Sequence, residues 1–460
     1  MKPNILFIGI DSFRGDKCYG KNKSSKTPNI DKLIAKGVYF DQHISASDGS
    51  YTCVGAIFTS LYPFQTGITT VSAWTKSTKI FEKFRELGYG LYGTAPCTPF
   101  FINLIEKFNE KENFPKPGFL HTGSEYEKIG RTGQLILDRL DRIKNKQIKE
   151  PWFYFIWITD IHRSVKYGIP KKYYNDEYGE TDYDKLVSAL DVWIGKFLER
   201  IDLTNTLVVL TSDHGEFIPT KKVGHEMTFI PYLYEPGSKL KKKLPSVFSG
   251  VLESLYRFLS RFIIIIKSMK LKRQLSLLEY RSLTSRGQST LWILPEETVK
   301  VPLLLCGWGI NAKNKIVSQQ VRSIDLIPTI AELINMPLEL EKIEGRTLVP
   351  LIEGKKLDDV PAFIENAVRR NPTRPGNAIG VRTSNYKYYR SRKDPKKKVH
   401  LYALKKDPNE IHNIAKEQPD IVKKMEEMLT KVRNNSIPKD VDPEETKRIE
   451  DMLKPFGRSG

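Results

Sequence analysis

The chain has 460 residues, of which 40% are hydrophobic, and its 74 Lys and Arg against 54 Asp and Glu give a net charge of +20. This length exceeds that of one small domain and predicts two or three domains, or one large domain with an appendage. No apolar run approaches the roughly 18 residues that a membrane-spanning helix needs, and the N-terminus lacks the pattern of a secretory signal. We therefore expect neither feature.

The four cysteines lie far apart along the chain and form no Cys-x-x-Cys pair. This spacing predicts neither a disulfide framework nor a zinc cluster. We interpret them as reduced thiols of a cytoplasmic protein. They are Cys18, Cys53, Cys97 and Cys306.

Four continuous apolar runs predict buried strands. The absence of alternation between apolar and polar residues is typical of strands covered by helices on both faces, as in a parallel sheet. Amphipathic segments between these runs predict helices, one beginning at Pro28 and closed by Gly37, another over 182–200. Alternating strands and helices favour a doubly wound α/β fold. The predicted strands are 4–10, 152–158, 206–210 and 301–306.

The interval 230–293 interrupts this alternation and carries a concentrated positive charge. Its stretch 237–290 holds 12 Lys and Arg against two acidic residues, about half of the net excess. Apolar residues recur at spacings of three or four from Phe248 to Met269, which predicts one or two basic amphipathic helices. Such helices bind anionic membrane surfaces, here through 238–289, or pack on their own fold as a lid or dimer surface. The sequence leaves both alternatives open.

The composition changes again near Pro361. Short alternating segments at 379–382 and 387–390 predict an antiparallel sheet, and a helix is predicted over 419–433. The basic triplet Lys396–Lys398 is interpreted as a solvated loop. The predicted domains are an α/β domain over 1–357 that includes the insertion 230–293, an α+β subdomain over 358–437, and a charged tail over 438–460.

Acidic residues follow two of the predicted strands. Asp11 comes directly after the first strand, and Asp213 and His214 follow the third. Ligands of parallel α/β sheets bind beyond the carboxyl ends of the strands. Two carboxylates and an imidazole that converge there are costly to bury unless a divalent cation holds them. Separately, Asp11 is explained as a turn or helix cap and His214 as a core histidine; together they predict a metal site.

Five groups of motifs resemble, in family order, those of sulfatases of the alkaline phosphatase superfamily. The resemblance extends from Pro3 to about Leu429. It implies an alkaline phosphatase-like fold with a mixed, mostly parallel sheet, and metal-dependent hydrolysis of sulfate or phosphate esters. The motifs are Pro3-Asn-Ile-Leu-Phe-Ile-Gly-Ile-Asp-Ser-Phe-Arg-Gly-Asp16 with Tyr19-Gly20, Thr211-Ser-Asp-His-Gly-Glu216, Leu294-Pro-Glu-Glu-Thr-Val-Lys-Val-Pro-Leu303, Ile324-Asp-Leu-Ile-Pro-Thr329 with Gly345-Arg346, and Leu401-Tyr402 with Asp407-Pro-Asn-Glu410 and Asn413.

The nucleophile segment departs from the family pattern, C-x-P-S-R, whose Cys is converted to formylglycine. The later family stretch matches 58–63, and counting back from it places Ser50 at the Cys position, with Cys53 three positions out of register. Thr52 and Val54 replace the family's Pro and Arg, so the usual signal for formylglycine is missing. The resemblance to Ser and Thr members that act on phosphoesters implies direct attack by a metal-activated Ser50 hydroxyl. Alternatively, Ser50 is the N-cap of a helix over 54–61.

Two further histidines match family positions. His162, after the second predicted strand, resembles the substrate-contacting His of sulfatases, and His225 falls where the family places a residue near the leaving group. In those roles they bind the reacting oxyanion, and one protonates the leaving oxygen. Each is also compatible with a neutral structural histidine.

The implied metal set is Asp11, Asp213, His214 and Ser50, which is similar to that of the phosphonate and phosphodiester branch. One divalent ion, Ca²⁺, Mn²⁺ or Zn²⁺, is expected there. An imidazole ligand shifts the preference from calcium towards manganese or zinc.

The leading hypothesis is a cytoplasmic hydrolase of a small-molecule, saccharide or lipid ester. One alternative is a phosphoryl-type transferase or phosphodiesterase acting on a lipid or polysaccharide, with the protein held peripherally at a membrane by the basic insertion. A second is a non-catalytic binding protein, favoured by the missing Pro and Arg. No helix-turn-helix, finger or RNA-binding motif accompanies the charge, so no nucleic-acid partner is expected. The substrate and the oligomeric state stay open.

Overall fold

The computed structural model describes residues 2–68, 78–114, 125–161, 171–218, 293–339, 342–367 and 378–434. The chain divides into two compact units, one of residues 1–216 with 292–460 and one of residues 217–291. All but the last residue of the predicted insertion 230–293 lies outside the described residues, so its basic amphipathic helices stay a prediction. No helix within the described ranges combines the length and the hydropathy required to span a bilayer.

Fourteen strands and twelve α-helices occur in the described residues. The strands are β1 (Asn4–Ile10), β2 (Val38–Phe40), β3 (His43–Ile44), β4 (Gly90–Pro96), β5 (Glu110–Phe114), β6 (Trp152–Ile158), β7 (Thr206–Thr211), β8 (Leu303–Gly307), β9 (Lys315–Val317), β10 (Val321–Arg322), β11 (Ala362–Glu365), β12 (Ala378–Arg382), β13 (Tyr386–Ser391) and β14 (His400–Ala403). The helices are α1 (Gly15–Cys18), α2 (Pro28–Lys36), α3 (Ser50–Thr59), α4 (Pro63–Thr66), α5 (Thr78–Glu86), α6 (Pro99–Leu104), α7 (Glu125–Lys144), α8 (Asp182–Leu198), α9 (Glu296–Val299), α10 (Leu326–Leu333), α11 (Val349–Ile352) and α12 (Pro419–Asn434).

An eight-stranded mixed sheet forms the centre of the larger unit, in the order β5-β4-β6-β1-β7-β8-β2-β9. Every residue of β1, β6 and β7 is buried. The neighbours within β5-β4-β6-β1-β7 run parallel, whereas β8 is antiparallel to both β7 and β2. The doubly wound, mostly parallel sheet is therefore confirmed. The apolar run of β8 indicated that both of its faces are buried. It did not indicate the antiparallel direction of this strand, because burial does not depend on strand direction.

The predicted helices flank this sheet. Helix α2 begins at Pro28 and ends before Gly37, as predicted, and α8 ends at Leu198, two residues earlier than predicted. Asp191 of α8 anchors the start of α2, because its carboxylate accepts hydrogen bonds from the backbone N–H groups of Asn29 and Ile30, at 3.1 and 2.8 Å. Those N–H groups have no partner within their own helix, so the contact both caps α2 and fixes its packing on α8.

A second, antiparallel sheet of four strands, β11-β12-β13-β14, follows in the C-terminal part. Helix α12 packs Met425 and Leu429 into the same apolar cluster as Val381 and Leu401 of this sheet. The predicted C-terminal sheet and helix are thus confirmed. The predicted domain boundaries at 357 and 437 remain a prediction.

A buried cluster of charged side chains joins this second sheet to the segment before β8. Lys387 of β13 is fully buried and lies 3.2 Å from a carboxylate oxygen of Glu296 and 3.0 Å from one of Glu410. Arg382 of β12 also donates to both carboxylate oxygens of Glu296. Burial raises the pKa of Glu296, but the attraction of Arg382 and Lys387 outweighs it and holds that pKa well below its usual range.

Removing the buried cation should therefore destabilise the fold. We expect Lys387→Met to lower the free energy of unfolding in urea by about 3–5 kcal/mol, because Glu296 and Glu410 lose a shared buried partner. The matched control is Lys397→Met, since Lys397 pairs with Asp394 on the surface with 77% of its side chain exposed. It should change the stability by less than about 0.5 kcal/mol. Equal effects of the two substitutions would contradict a structural role for the buried cluster.

Candidate active site

Asp11, Asp213 and His214 meet at the carboxyl ends of β1 and β7. The two strands are paired in parallel with Gly9 level with Thr211, which brings the residues two positions further along each strand together. All three side chains are buried, and each offers an oxygen or nitrogen atom within 4.8 Å of the other two. The cluster predicted from separate strand ends therefore exists as one group of donors.

The backbone after β1 turns so that it orients Asp213. Ser12 adopts the left-handed conformation with φ of 66°, which is unfavourable for a residue other than glycine. In this conformation its N–H donates to Oδ1 of Asp213 at 3.0 Å, and the N–H of His214 donates to the same oxygen at 2.8 Å. Oδ2 of Asp213 has no hydrogen-bond partner among the described residues and lies 3.5 Å from Nε2 of His214.

The imidazole of His214 is fixed by its own neighbour. Its Nδ1 lies 2.8 Å from the carbonyl oxygen of Gly215. Because a carbonyl oxygen only accepts hydrogen bonds, Nδ1 carries the proton. In the neutral ring, Nε2 is then left as a lone-pair donor, 3.2 Å from Oγ of Ser50 and 4.0 Å from a carboxylate oxygen of Asp11.

The electrostatics of this cluster favour a bound cation. Burial raises the pKa of Asp213, and the negative charge of Asp11 raises it further. Burial lowers the pKa of His214, but the carboxylates of Asp213 and Asp11 outweigh it and raise that pKa to about 9. Without a metal, a proton on His214 offsets the repulsion between the carboxylates.

The spacing of the donors suits a divalent ion. Two ligands on opposite sides of an ion bound at about 2.4 Å lie up to about 4.8 Å apart, and the donor atoms of Asp11, Asp213 and His214 all lie within 4.8 Å of one another. Oδ2 of Asp213, which has no hydrogen-bond partner among the described residues, lies 3.5 Å from Nε2 of His214. Two carboxylate oxygens, one imidazole nitrogen and the Ser50 hydroxyl thus form a plausible ligand set for Mn²⁺, Zn²⁺ or Ca²⁺.

Ser50 is the first residue of α3, not its N-cap. Gly49 occupies the N-cap position, and the helix runs over Ser50–Thr59, whereas the N-cap interpretation placed it at 54–61. The Ser50 hydroxyl lies against Nε2 of His214. Ser50 thus stands at the N-terminus of a helix, and backbone N–H groups at a helix N-terminus stabilise anions.

The neighbours of Ser50 have structural roles. Cys53 is buried, its thiol donates to the carbonyl of Ser47 at 3.1 Å, and burial raises its pKa, which suppresses the reactive thiolate. Val54 lies in the main apolar core, and the Thr52 hydroxyl donates to the carbonyl of Gly49 at 2.7 Å. These contacts are consistent with Ser50, and not Cys53, as the residue that faces the carboxylates.

Several residues that hold the site were missed from the sequence. The Ser45 hydroxyl donates to the carbonyl of Asp213, and its N–H donates to the carbonyl of Val299. Asp48 is held by Asn366 of the segment after β11. The mostly polar segment from Ser45 to Ser50, which lies between two buried segments, was the available signal. Polar groups that are buried in a fold are nearly always hydrogen-bonded.

The other two predicted catalytic residues, His162 and His225, lie outside the described residues. Their roles therefore stay predictions. The described Asp160, two positions before His162, is partly buried, and burial raises its pKa to about 7.

Comparison with known proteins places this chain in a family. Residues 3–336 match the family model named Sulfatase, and residues 291–435 match one described as N-sulphoglucosamine sulphohydrolase, C-terminal. Arylsulfatase K of Gallus gallus is 30% identical over 152 residues, which cover 30% of this chain and 26% of that protein. This chain thus matches only about a quarter of that relative's length.

Solved structures share the fold over almost the whole chain. The phosphonate monoester hydrolase of Agrobacterium radiobacter superimposes with a TM-score of 0.64 at 16% identity, covering 94% of this chain and 96% of that one. A protein solved in complex with its substrate, D-glucosamine-2-N,6-O-disulfate, gives a TM-score of 0.65 at 16% identity and covers 96% of this chain and all of the other. Because the Sulfatase model matches most of the length of this chain, the chain belongs to the sulfatase family.

Proposed function

We propose that this protein is a metal-dependent hydrolase of sulfate or phosphate-type esters that uses the unmodified hydroxyl of Ser50 as its nucleophile. The observation that carries the proposal is the position of that hydroxyl, 3.2 Å from Nε2 of His214 and at the start of a helix. Membership of the sulfatase family supports hydrolysis of such esters.

Each group of the site has a distinct task in this mechanism. Asp11, Asp213 and His214 would hold the divalent ion, which supplies Lewis acidity and lowers the pKa of the Ser50 hydroxyl. Ser50 loses its hydroxyl proton as Oγ attacks sulfur or phosphorus in line with the leaving oxygen, and the ester bond to that oxygen breaks as the new bond forms. Water then hydrolyses the serine adduct, which releases sulfate or phosphate and restores the hydroxyl. The N–H groups of the first turn of α3 stabilise the charge that builds on the other oxygens. His162 and His225 are the proposed donors to the substrate and the leaving oxygen.

The proposed substrates are sulfated or phosphorylated small molecules, with a saccharide ester as the leading class. A structural neighbour was solved with a sulfated glucosamine, and another is a phosphonate monoester hydrolase. Thr52 and Val54 at the positions of the family's Pro and Arg support an unmodified serine. The chain matches the Sulfatase family model and a structural neighbour is a phosphonate monoester hydrolase, so both sulfate and phosphate esters belong in the assay.

Deleting the Ser50 hydroxyl tests the nucleophile. We expect Ser50→Ala to reduce kcat by at least about 10³-fold on whichever of 4-nitrophenyl sulfate, 4-nitrophenyl phosphate and bis(4-nitrophenyl) phosphate the wild type hydrolyses, since the residual rate comes only from binding and charge stabilisation. Thr59→Ala is the matched control, because that hydroxyl lies at the far end of α3 and donates to the carbonyl of Gly55. It should leave kcat within about threefold. Wild-type turnover by Ser50→Ala would exclude Ser50 as nucleophile.

The protonation of His214 gives a pH test in metal-free protein. Folded His214 keeps its proton to about pH 9, whereas the unfolded chain releases it near pH 6.5. Between these values the folded state binds more protons, so the free energy of unfolding should fall as pH rises, by up to about 1.4 kcal/mol per pH unit. Urea unfolding of EDTA-treated protein measures this slope. Zn²⁺ or Mn²⁺ should weaken it, because the ion needs an unprotonated imidazole.

Two variants assign that slope. His214→Asn should remove it, while His412→Asn, which changes an exposed histidine, should retain it. A slope that persists in His214→Asn would show that another group, and not the carboxylate-paired imidazole, controls stability in this range.

A further inference from the structure

We propose that Asn366, which lies outside the catalytic cluster, is a positioning residue for Ser50. This inference rests on the function proposed above. Asn366 follows β11 in the second sheet and is fully buried. Its side chain joins that sheet to the loop that leads into α3, and Ser50 is the first residue of that helix.

The contacts of Asn366 use both N–H donors of its amide and its amide oxygen. Its Nδ2 donates to a carboxylate oxygen of Asp48 at 2.8 Å and to the carbonyl of Ile293 at 3.0 Å. Its Oδ1 accepts from the N–H of Ala378 at 2.9 Å. The neighbouring N–H of Ala367 donates to the other oxygen of Asp48 at 2.6 Å. Asp48 is thus gripped on both oxygens, two residues before Ser50.

The loop before Ser50 is attached to the same strand through its backbone. Ser47 forms a parallel bridge with Glu365, and the N–H of Glu365 donates to the carbonyl of Ala46 at 3.0 Å. On its other side the loop is held by Ser45, whose hydroxyl donates to the carbonyl of Asp213. Asn366 therefore completes a set of contacts to the loop before Ser50, here called the clamp. The clamp sets where the first turn of α3 lies relative to the carboxylates.

This position matters because in-line attack tolerates little displacement. A misplacement of about 1 Å caused by a residue far from the chemistry can lower the rate by about 10²-fold. Asn366 contacts neither Asp11, Asp213, His214 nor Ser50 through any described hydrogen bond. Its loss should therefore move the nucleophile without removing a group that binds substrate or metal.

Asn366→Ala tests this role. We expect kcat to fall by about 10²-fold with KM changed by less than about threefold, because attack and not binding is impaired. Asn413→Ala is the matched control: that amide also bridges chain segments, accepting from the N–H groups of Leu401 and Ala415, but lies within the C-terminal part. It should leave kcat within about twofold. An Asn366→Ala enzyme with wild-type kcat, or one whose loss matches Asn413→Ala, would overturn the proposal.

A charge-swapped pair separates positioning from general damage. Asn366→Asp sets two carboxylates against each other and should lower kcat at least as much as Asn366→Ala. Adding Asp48→Asn restores a hydrogen bond with donor and acceptor exchanged, and should recover kcat at least tenfold over the single variant. No recovery would count against the Asp48–Asn366 contact as the source of the effect.

Hydrogen exchange of the full chain keeps the test independent of turnover. Amides within 45–52 should exchange at least tenfold faster in Asn366→Ala than in wild type or Asn413→Ala, while those of β1 keep their protection. If the wild type hydrolyses none of the three esters, only the proposed function is refuted. The exchange result would still show whether the clamp holds the loop before Ser50. Unchanged exchange at 45–52 would refute the clamp.

Discussion

Two carboxylates, Asp11 and Asp213, are buried together at the ends of neighbouring parallel strands, and their mutual repulsion must be offset for the fold to close around them. The protein offsets it partly with hydrogen bonds from the N–H groups of Ser12 and His214 to one oxygen of Asp213. The left-handed turn at Ser12 is the conformational cost of that arrangement. The two carboxylates also raise the pKa of His214 against the effect of burial, and a divalent ion held there would be attracted by the same negative charge.

The rest of the scaffold places one hydroxyl in that field. Helix α3 begins at Ser50. The buried pair of Arg322 and Asp325 fixes the start of α10, and the second sheet holds Asp48 through Asn366. The C-terminal sheet is therefore more than an appendage, because it forms hydrogen bonds to the loop before Ser50, the proposed nucleophile. The ion cluster around Lys387 ties the same sheet to the segment that precedes β8.

The parts of this architecture that could be predicted are those encoded in local pattern. Unbroken apolar runs identified β1, β6 and β7, and the acids that follow β1 and β7 pointed to the buried cluster of Asp11, Asp213 and His214. Strand direction in β8 could not be predicted, since both faces are covered whichever way it runs. The hydrogen bond between Asn366 and Asp48 was also invisible, because it joins residues 318 positions apart, and no periodicity reports such a contact. Gly345 belonged to a motif, but only the structure explains it: a side chain there would collide with the carbonyl of Ile324.

The central claim is that Asp11, Asp213, His214 and Ser50 surround one divalent ion. Its most direct test is anomalous diffraction at the zinc absorption edge, from crystals of the full chain grown with Zn²⁺. We expect a single strong peak about 2.0–2.2 Å from a carboxylate oxygen of each aspartate and from Nε2 of His214, with Oγ of Ser50 as the nearest hydroxyl. No peak between these side chains, or zinc bound only elsewhere on the protein, would contradict the claim.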